Sequence, residues 1–299
     1  MEKYYSIDTA SEFTLGNAAR LAGRTHSAQQ HYLRALETFR KNGDRSGEAK
    51  SLRYLGHIAD TLGDLEEGER LYRGGLAISR EIGDRHGEAM LLGDLGSSYR
   101  KRGYSAEAEH LDLESLAIIR EIGDRNNEAR MLLKFSHNND QGEQMTLECL
   151  AIFREIGDRD GEAVSLRYLA QYMLEQGNDA DAERLNRESL AVSREIGDRH
   201  GEAVTLLNLS NAIRPYKRRF RRAKNRGRLV EAERLNLESL AIHREIGDRH
   251  GEAMSLVSLG ITEEVRGDLA KADLLWREAI RIFREIGFEG PQFLIDMGY

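Results

Sequence analysis

The residues best able to do chemistry lie in one recurring octapeptide, which reads IGDRHGEA in three of its copies. His86-Gly87-Glu88 matches the H-x-E part of a zinc deaminase signature, but no P-C-x-x-C follows, so that reaction is excluded. Phosphate-binding glycine loops, G-x-S-x-G and H-E-x-x-H do not occur. His86, His200 and His250 recur with the octapeptide, too far apart in sequence to converge on one metal. We therefore expect no enzyme, no cofactor and no metal site.

A second chemically distinct segment is strongly basic. Residues 214–228 contain nine lysines and arginines and no acid, although the whole chain has a net charge of −7. Two aromatic residues, Tyr216 and Phe220, lie among the bases, a mixture that favours phosphate contacts and base stacking. The segment also suits an anionic membrane surface, an acidic protein segment or the protein's own acidic exterior, and a tolerated loop extension explains it equally simply. Its candidate contact residues are Lys217, Arg218, Arg219, Phe220, Arg221, Arg222 and Lys224.

The composition narrows the class of protein. Of 299 residues, 40% are hydrophobic and 32% are charged, which is too apolar for a disordered chain and too charged for a membrane span. Only two prolines occur, as expected for helices with few breaks, and the single cysteine excludes an intramolecular disulfide. The first residues lack the apolar stretch of a secretory signal, and no run approaches 18 apolar residues. We expect a cytoplasmic protein.

The octapeptide marks an internal repeat. It starts at Asn42 and returns about every 40 residues, although one copy is 6 residues shorter and another 10 longer. The pattern predicts a single solenoid domain over 1–299 with seven repeats and a terminal cap. The predicted repeats are 9–47, 48–87, 88–127, 128–161, 162–201, 202–251 and 252–287, and the cap is 288–299.

Each repeat carries two helical patterns. In the third repeat Leu92, Leu95 and Tyr99 recur at three- and four-residue spacing, which indicates one face of a helix. Gly103 ends that helix and Ser105 begins the next. Aspartate caps are expected at Asp64, Asp124 and Asp140.

Within the repeat the spacing resembles the tetratricopeptide repeat, whose pattern is W-x2-L-G-x2-Y followed by A-x3-F. The chain has Leu92-x2-Leu95-Gly96-x2-Tyr99 on the first helix, and Ala28-x3-Tyr32 and Ala272-x3-Trp276 on the second. The resemblance implies an all-α, right-handed superhelical solenoid of about seven helix-turn-helix repeats, closed by a short capping helix after Pro291. The 40-residue period with GDRxGEA is similar to the LGN/Pins type, which implies binding of elongated peptides.

By analogy with that family, the binding groove is lined by the first helix of each repeat. The corresponding basic residues outnumber the acids Asp60, Asp140, Glu175 and Glu264, so the groove is predicted to be more basic than the rest of the chain. This favours a scaffold that holds an extended, acidic peptide, although scattered arginines that only solvate a helix also fit. The alternative is a regulator that contacts nucleic acid or another polyanion through 214–228. The candidate groove residues are Arg20, Lys50, Arg53, His57, Arg100, Lys101, Arg130, Arg167, Gln171, Asn208, Asn211 and Arg214.

Overall fold

A computed structural model describes residues 9–136, 141–214 and 223–299, without the side chains of 9–11 and 223–226. These residues form fifteen α-helices, and no strand occurs among them. Asp140 and the basic residues from Lys217 to Arg222 lie outside the described residues, as does the side chain of Lys224.

The chain divides into two compact units, with the division after Met131, inside α7. Unit 1 contains α1 (Thr9–Leu21), α2 (Thr25–Asn42), α3 (Arg45–Leu62), α4 (Leu65–Glu81), α5 (Arg85–Lys101), α6 (Ser105–Glu121) and the start of α7 (Arg125–Ser136). Unit 2 contains the end of α7, α8 (Gly142–Ile156), α9 (Arg159–Glu175), α10 (Asp179–Glu195), α11 (Arg199–Ile213), α12 (Ala223–Ile246), α13 (Arg249–Arg266), α14 (Leu269–Glu285) and α15 (Gln292–Asp296).

Within each unit, helices that follow one another in sequence pack together in pairs. In unit 1, α1 packs on α2, α3 on α4 and α5 on α6; in unit 2 the pairs continue to α13 and α14. The predicted all-α architecture of helix-turn-helix repeats is therefore confirmed. The predicted capping helix is also present as α15, and Leu294 fills the end of the core with no exposed surface.

The junction between repeats is built from the octapeptide. Gly157 adopts the left-handed conformation that ends α8, with φ of 73°. The next residue, Asp158, caps α9 by accepting a hydrogen bond from the Gly161 N–H at 2.9 Å. The predicted caps at Asp64 and Asp124 are confirmed, because each accepts a backbone N–H three residues ahead. Each junction thus ends one repeat and starts the next within four residues.

A buried glutamate then links neighbouring helices at every junction between repeats. Glu88 of α5 is 6% exposed and accepts hydrogen bonds from Arg80 Nε of α4 at 2.8 Å and from Arg85 Nη1 at 2.5 Å. The other ends of the two guanidinium groups reach Glu114 and Glu121 of α6. The same buried carboxylate with two arginines recurs at Glu48, Glu128, Glu162, Glu202 and Glu252.

Glycine is required where rings lie against the first helices. A Cβ on Gly161 would lie 2.5 Å from Cε1 of Phe153, and a Cβ on Gly56 would lie 2.5 Å from Cε1 of Tyr72. Both distances are far below van der Waals contact, so the ring or the helix would have to move. The repeat's glycines therefore allow close packing of the two helices, as the sequence predicted.

The contact at Gly161 predicts a cost for one added methyl group. We expect Gly161→Ala to lower the free energy of unfolding by about 1–3 kcal/mol, because the buried Phe153 ring has no free space. Gly227→Ala is the matched control: it lies in α12 with nothing within 4 Å of the added Cβ, and should be neutral or stabilise by up to about 1 kcal/mol. Urea unfolding of both variants measures this, and equal effects would contradict the packing argument.

The buried glutamates predict acid sensitivity. Burial alone would raise the pKa of Glu88, but hydrogen bonds from Arg80 and Arg85 outweigh it and hold the pKa below the ordinary value of 4.5. The carboxylate's contribution to stability is therefore complete above pH 4.5 and is lost as the pH falls through the lower folded-state pKa.

We expect Glu88→Gln to lower the free energy of unfolding at pH 7 by about 1–3 kcal/mol, since two charge-assisted hydrogen bonds are weakened. The difference from the parent protein should shrink as the pH falls below 4.5. Glu107→Gln changes an exposed side chain that pairs with no described residue and serves as control. A difference that stays constant from pH 7 to pH 3 would show that the charge of Glu88 is not the cause.

Candidate functional site

The first helices of successive repeats contact one another directly. In unit 1, α3 contacts α5; in unit 2, α9 contacts α11 and α11 contacts α13. Each unit therefore has a continuous face made of first helices, which we call the first-helix face. Most candidate groove residues lie on these helices; Arg130 lies on α7, and Arg214 directly follows α11. Arg20 lies on α1, which joins this face in unit 1 because Arg20 and Phe13 contact the Tyr54 ring of α3.

In unit 1 two of the predicted residues meet at a carboxylate. Arg53 Nε donates to Asp94, and His57 Nε2 lies 3.1 Å from the same Asp94 oxygen. On its other side, His57 Nδ1 lies 3.3 Å from the Tyr72 hydroxyl. Burial raises the pKa of Tyr72, so its hydroxyl stays protonated and can donate to His57. The four side chains form one hydrogen-bonded chain across α3, α4 and α5.

Asp94 is the member of this chain that sequence reasoning missed. Burial alone would raise its pKa, but the hydrogen bond and charge of His57 and the charge of Arg53 bring it below the ordinary value, so the carboxylate stays ionised. Asp94 stands 41 residues after Arg53, one repeat further on, and the groove positions taken from the family did not include it. In the sequence, the position of Asp94 two residues before Gly96, the glycine of the third repeat's first helix, is what could have indicated it.

An aromatic surface lies beside this chain. Tyr54 stacks on Tyr32 with ring centroids 5.2 Å apart, and the edge of Phe13 meets it at 5.3 Å. The guanidinium groups of Arg20 and Arg53 lie over the Tyr54 ring at 5.5 and 5.8 Å, within the range of cation–π attraction. Arg20, predicted from position alone, is therefore positioned by an aromatic ring rather than by an acid.

Two further bases of unit 1 are neutralised locally. Arg100 donates to Asp112, whose side chain is completely buried, and Lys101 Nζ lies 3.1 Å from Asp60. Arg130 donates to Asn126 at 2.7 Å. Lys50 is exposed and forms no ion pair with any residue that the structure describes. Around the Tyr54 ring, therefore, Lys50 and Arg20 are the candidate bases that form no ion pair with any described residue, fewer than the count of bases suggested.

Unit 2 offers amides more than charges. Asn211 Oδ1 accepts a hydrogen bond from the Ser258 hydroxyl at 3.1 Å, and Arg214 Nη1 donates to that same hydroxyl at 3.0 Å. Gln171 donates to Glu175 within α9 at 2.9 Å. The structure thus brings Asn211 and Arg214 together at the Ser258 hydroxyl of α13, whereas Gln171 contacts a residue of its own helix.

Arg167 occupies a different environment from its counterpart Arg53. Asn208 stands 41 residues after Arg167, where Asp94 follows Arg53. Arg167 turns inward instead: its Nη1 is buried without a hydrogen-bond partner and lies 3.1 Å from where a Cβ on Gly201 would be. Burial lowers the pKa of this guanidinium, while the charges of Asp198 and Asp160 oppose that effect.

The described residues also bear on metal binding and on membrane crossing. No group of three or more histidine, cysteine, aspartate or glutamate side chains there is placed to hold a metal ion. Among the described helices, none combines the length and apolar character needed to cross a membrane. Residues 215–222 of the basic segment lie outside the described ranges; at the edges of the segment, Arg214 contacts Ser258 and Arg228 contacts Glu183.

Comparison with known proteins identifies similar sequences and folds. Family models described as tetratricopeptide repeat match residues 7–81, 89–122 and 126–195, more than half of the chain. No curated protein matches the sequence.

Several solved structures are similar in fold at low sequence identity. A signal transduction ATPase of Pyrococcus horikoshii with a tetratricopeptide repeat sensor is 17% identical, with a TM-score of 0.74; the match covers 94% of this chain but only 44% of that one. The apo form of RapI is 15% identical with a TM-score of 0.64, covering 94% of this chain and 99% of RapI. The Rap conjugation gene regulator of plasmid pLS20, in complex with the Phr* peptide, is 12% identical with a TM-score of 0.57, covering 94% and 75%.

The contrast between Arg53 and Arg167 predicts a stabilising substitution. Asn208→Asp places a carboxylate where Asp94 stands in unit 1, so the buried guanidinium gains a charged partner. We expect the free energy of unfolding to rise by about 1–3 kcal/mol. Asn211→Asp, on the exposed side of the same helix, should change it by no more than about 0.5 kcal/mol. Thermal unfolding at pH 7 compares them, and a loss of stability in Asn208→Asp would refute the assigned pairing.

Proposed function

Because the chain belongs to the tetratricopeptide repeat family, we propose that it is a non-enzymatic adaptor that binds an extended, acidic segment of another protein. The binding site is the first-helix face of unit 1, centred on Lys50, Arg20 and the Tyr54 ring. The observation that carries the proposal is the contrast among the bases of this face. Arg53 and Lys101 are satisfied by aspartates, whereas Lys50 and Arg20 are exposed and form no ion pair with any described residue.

An acidic side chain is the natural partner for these two bases. A carboxylate near Lys50 would complete an ion pair that the protein itself does not supply, and complementary charge also steers an extended peptide toward the face. The half-buried rings of Tyr54 and Phe13 supply apolar contact beside the charges. A segment combining an acid with an apolar residue therefore fits this face.

The comparisons support the general mode of binding. The pLS20 regulator was solved with a bound peptide, and the match to it spans 94% of this chain. In unit 2, Asn208 is half-buried on the first-helix face, and an asparagine side chain can both donate to and accept from a peptide backbone. We infer that such amides hold an extended backbone with little dependence on sequence.

A polyanion contact through 214–228 is the second candidate function. What favours it is the density of nine bases without an acid. Nucleic-acid binding of that kind should weaken steeply with salt and disappear when 215–224 are deleted. Binding at the first-helix face of unit 1 should survive the deletion, so the same deletion protein separates the two functions.

The proposal predicts opposite effects for two ligands. Random-sequence peptides displayed on phage are selected on the intact protein, and an acidic peptide from the selection is measured by fluorescence anisotropy. We expect Lys50→Glu and Arg20→Glu each to weaken it about tenfold, because attraction becomes repulsion. A second peptide, in which lysine replaces the acids, should bind the two variants more tightly than it binds the parent protein.

Lys41→Glu makes the same charge change in the last turn of the second helix α2, where Lys41 pairs with Glu37, and is the matched control. It should leave peptide affinity unchanged. Equal losses for Lys50→Glu and Lys41→Glu would place the effect in the overall charge of the protein. Loss of binding on deletion of 215–224 would overturn the proposed site.

A further inference from the structure

In unit 2, arginines of one second helix bind acids of the next second helix. Arg187 Nη2 of α10 donates to Glu231 of α12 at 2.8 Å, and Arg194 Nη2 donates to Glu238 at 2.5 Å. The two arginines are seven residues apart, as are the two glutamates, so each pair lies on one side of its helix at two-turn spacing. A row of arginines on α10 thus recognises a row of acids on α12.

The last second helix, α14, carries the same arginines. Counted along the repeats, Arg277 and Arg284 stand at the positions of the two α10 arginines. Arg277 binds Asp273 of its own helix at 2.8 Å, and Arg284 Nη2 donates to the main-chain oxygen of Tyr299 at 3.1 Å. Within the described part of the chain, no acid of a following second helix reaches either guanidinium group.

A third arginine is added between these two on α14. Arg281 occupies a position that is alanine in the five preceding second helices, and it binds Glu285 of its own helix at 2.6 Å. A local pair of this kind leaves a guanidinium group able to bind a second acid, since Arg187 binds both Glu183 of α10 and Glu231 of α12. The α14 helix therefore presents a row of three arginines.

A groove of about 710 Å³ lies along this row. Arg277, Arg281 and Arg284 line it together with Gly298 and Tyr299. Because the row stands at the positions where α10 meets α12, the groove lies where a following second helix would pack on α14.

The neighbouring helix α15 exposes apolar side chains that the preceding repeat buries. Phe293 and Met297 are 40% and 54% exposed, and Met297 directly precedes Gly298 of the groove. Their counterparts 40 residues earlier, Ala253 and Val257 of α13, are 0% and 4% exposed. The α13 helix packs against α14, the second helix of its own repeat, whereas no second helix follows α15 among the described residues.

We propose that α14 and α15 together bind an acidic, amphipathic α-helix of another protein, which takes the place of an eighth second helix. Two acids seven residues apart on that helix pair with Arg277 and Arg284, and an acid between them meets Arg281. Its apolar side covers Phe293 and Met297, as in other grooves that hold an amphipathic helix. Exposed ion pairs alone contribute little affinity, so this apolar contact supplies the rest.

This helix site is independent of the proposed site for an extended peptide. It lies in unit 2, on a second helix and the capping helix, whereas the first-helix face of unit 1 is formed by α1, α3 and α5. The ligand also differs in conformation, because acids in register on one side of a helix are required here. Failure of either proposal therefore leaves the other standing.

The α12 helix supplies the probe, because it already binds arginines of this spacing. The peptide has the sequence of residues 228–246, with a lactam bridge between the exposed positions of Leu237 and Ala241 to hold the helix. Arg234→Glu in the peptide adds the acid for Arg281. We expect saturable binding to the intact protein in fluorescence anisotropy, and absence of binding would overturn the proposal.

A second peptide tests whether the ligand must be helical. It keeps the three acids but carries Asn236→Pro and Ser239→Pro, which remove backbone donors and break the helix. We expect it to bind at least about tenfold more weakly, because its acids no longer lie on one side of a helix. Equal affinity of the two peptides would contradict a helical partner.

Variants of the protein locate the site. We expect Arg277→Glu to weaken binding of the helical peptide about tenfold, because attraction becomes repulsion, and Arg281→Ala to weaken it about threefold. Arg281→Ala restores the residue of the other repeats, so the fold should be kept. Arg184→Glu is the matched control, since Arg184 is an exposed arginine of α10 that pairs locally with Asp181, and it should leave affinity unchanged. Equal losses for Arg277→Glu and Arg184→Glu would overturn the site.

Other results would assign the peptide or the groove elsewhere. Loss of binding in Lys50→Glu, with none in Arg277→Glu, would place the peptide on the first-helix face of unit 1. Loss on deletion of 215–224 would place it on the basic segment. Self-association of the parent protein in sedimentation, abolished by Arg277→Glu, would make a second copy of this chain the occupant. Each of these results would overturn the proposal.

Discussion

The structure depends on a carboxylate that is buried between two arginines at every junction. Glu88 illustrates the arrangement, since Arg80 of the preceding helix and Arg85 of its own helix both bind it, and both continue to acids on α6. A buried carboxylate without its partners would cost several kcal/mol, so the three helices must adopt the geometry that satisfies it. The aspartate cap and the left-handed glycine place the arginines and the glutamate within reach. Recurrence of the buried carboxylate with its two arginines explains why the octapeptide is almost invariant within the chain.

Because the junctions define the stacking, residues elsewhere in the repeat are free to differ. The residue five positions before the junction aspartate ranges from phenylalanine to serine, and the position of Asp94 becomes Asn208 in unit 2. In unit 1 Asp94 binds Arg53, whereas in unit 2 Arg167 Nη1 is buried beside Gly201. In unit 1 the result is a half-buried aromatic surface beside two bases that form no ion pair with any described residue; in unit 2 it is a buried guanidinium near half-buried and exposed amides. Function in such a chain resides in the exceptions to the repeat.

Much of the fold could be predicted from the sequence, because periodic spacing and local caps depend on residues close together in the chain. Asp64, Asp124 and the capping helix after Pro291 are examples. The site was less predictable because its partners are about 40 residues apart. From the sequence, Arg53 and Lys101 are bases available to a ligand. In the structure Asp94 binds Arg53 and Asp60 binds Lys101.

The junctions hold the stacked helices in place, and we propose that the first-helix face of unit 1 binds an extended peptide. Hydrogen–deuterium exchange of the intact protein, with and without a selected acidic peptide at saturation, tests it most directly. We expect added protection to be concentrated in the first helices α1, α3 and α5, with little change in α4 and α6, whose outer surfaces the peptide does not touch. Protection confined to α12 and the adjoining basic segment, or spread equally over first and second helices, would contradict it.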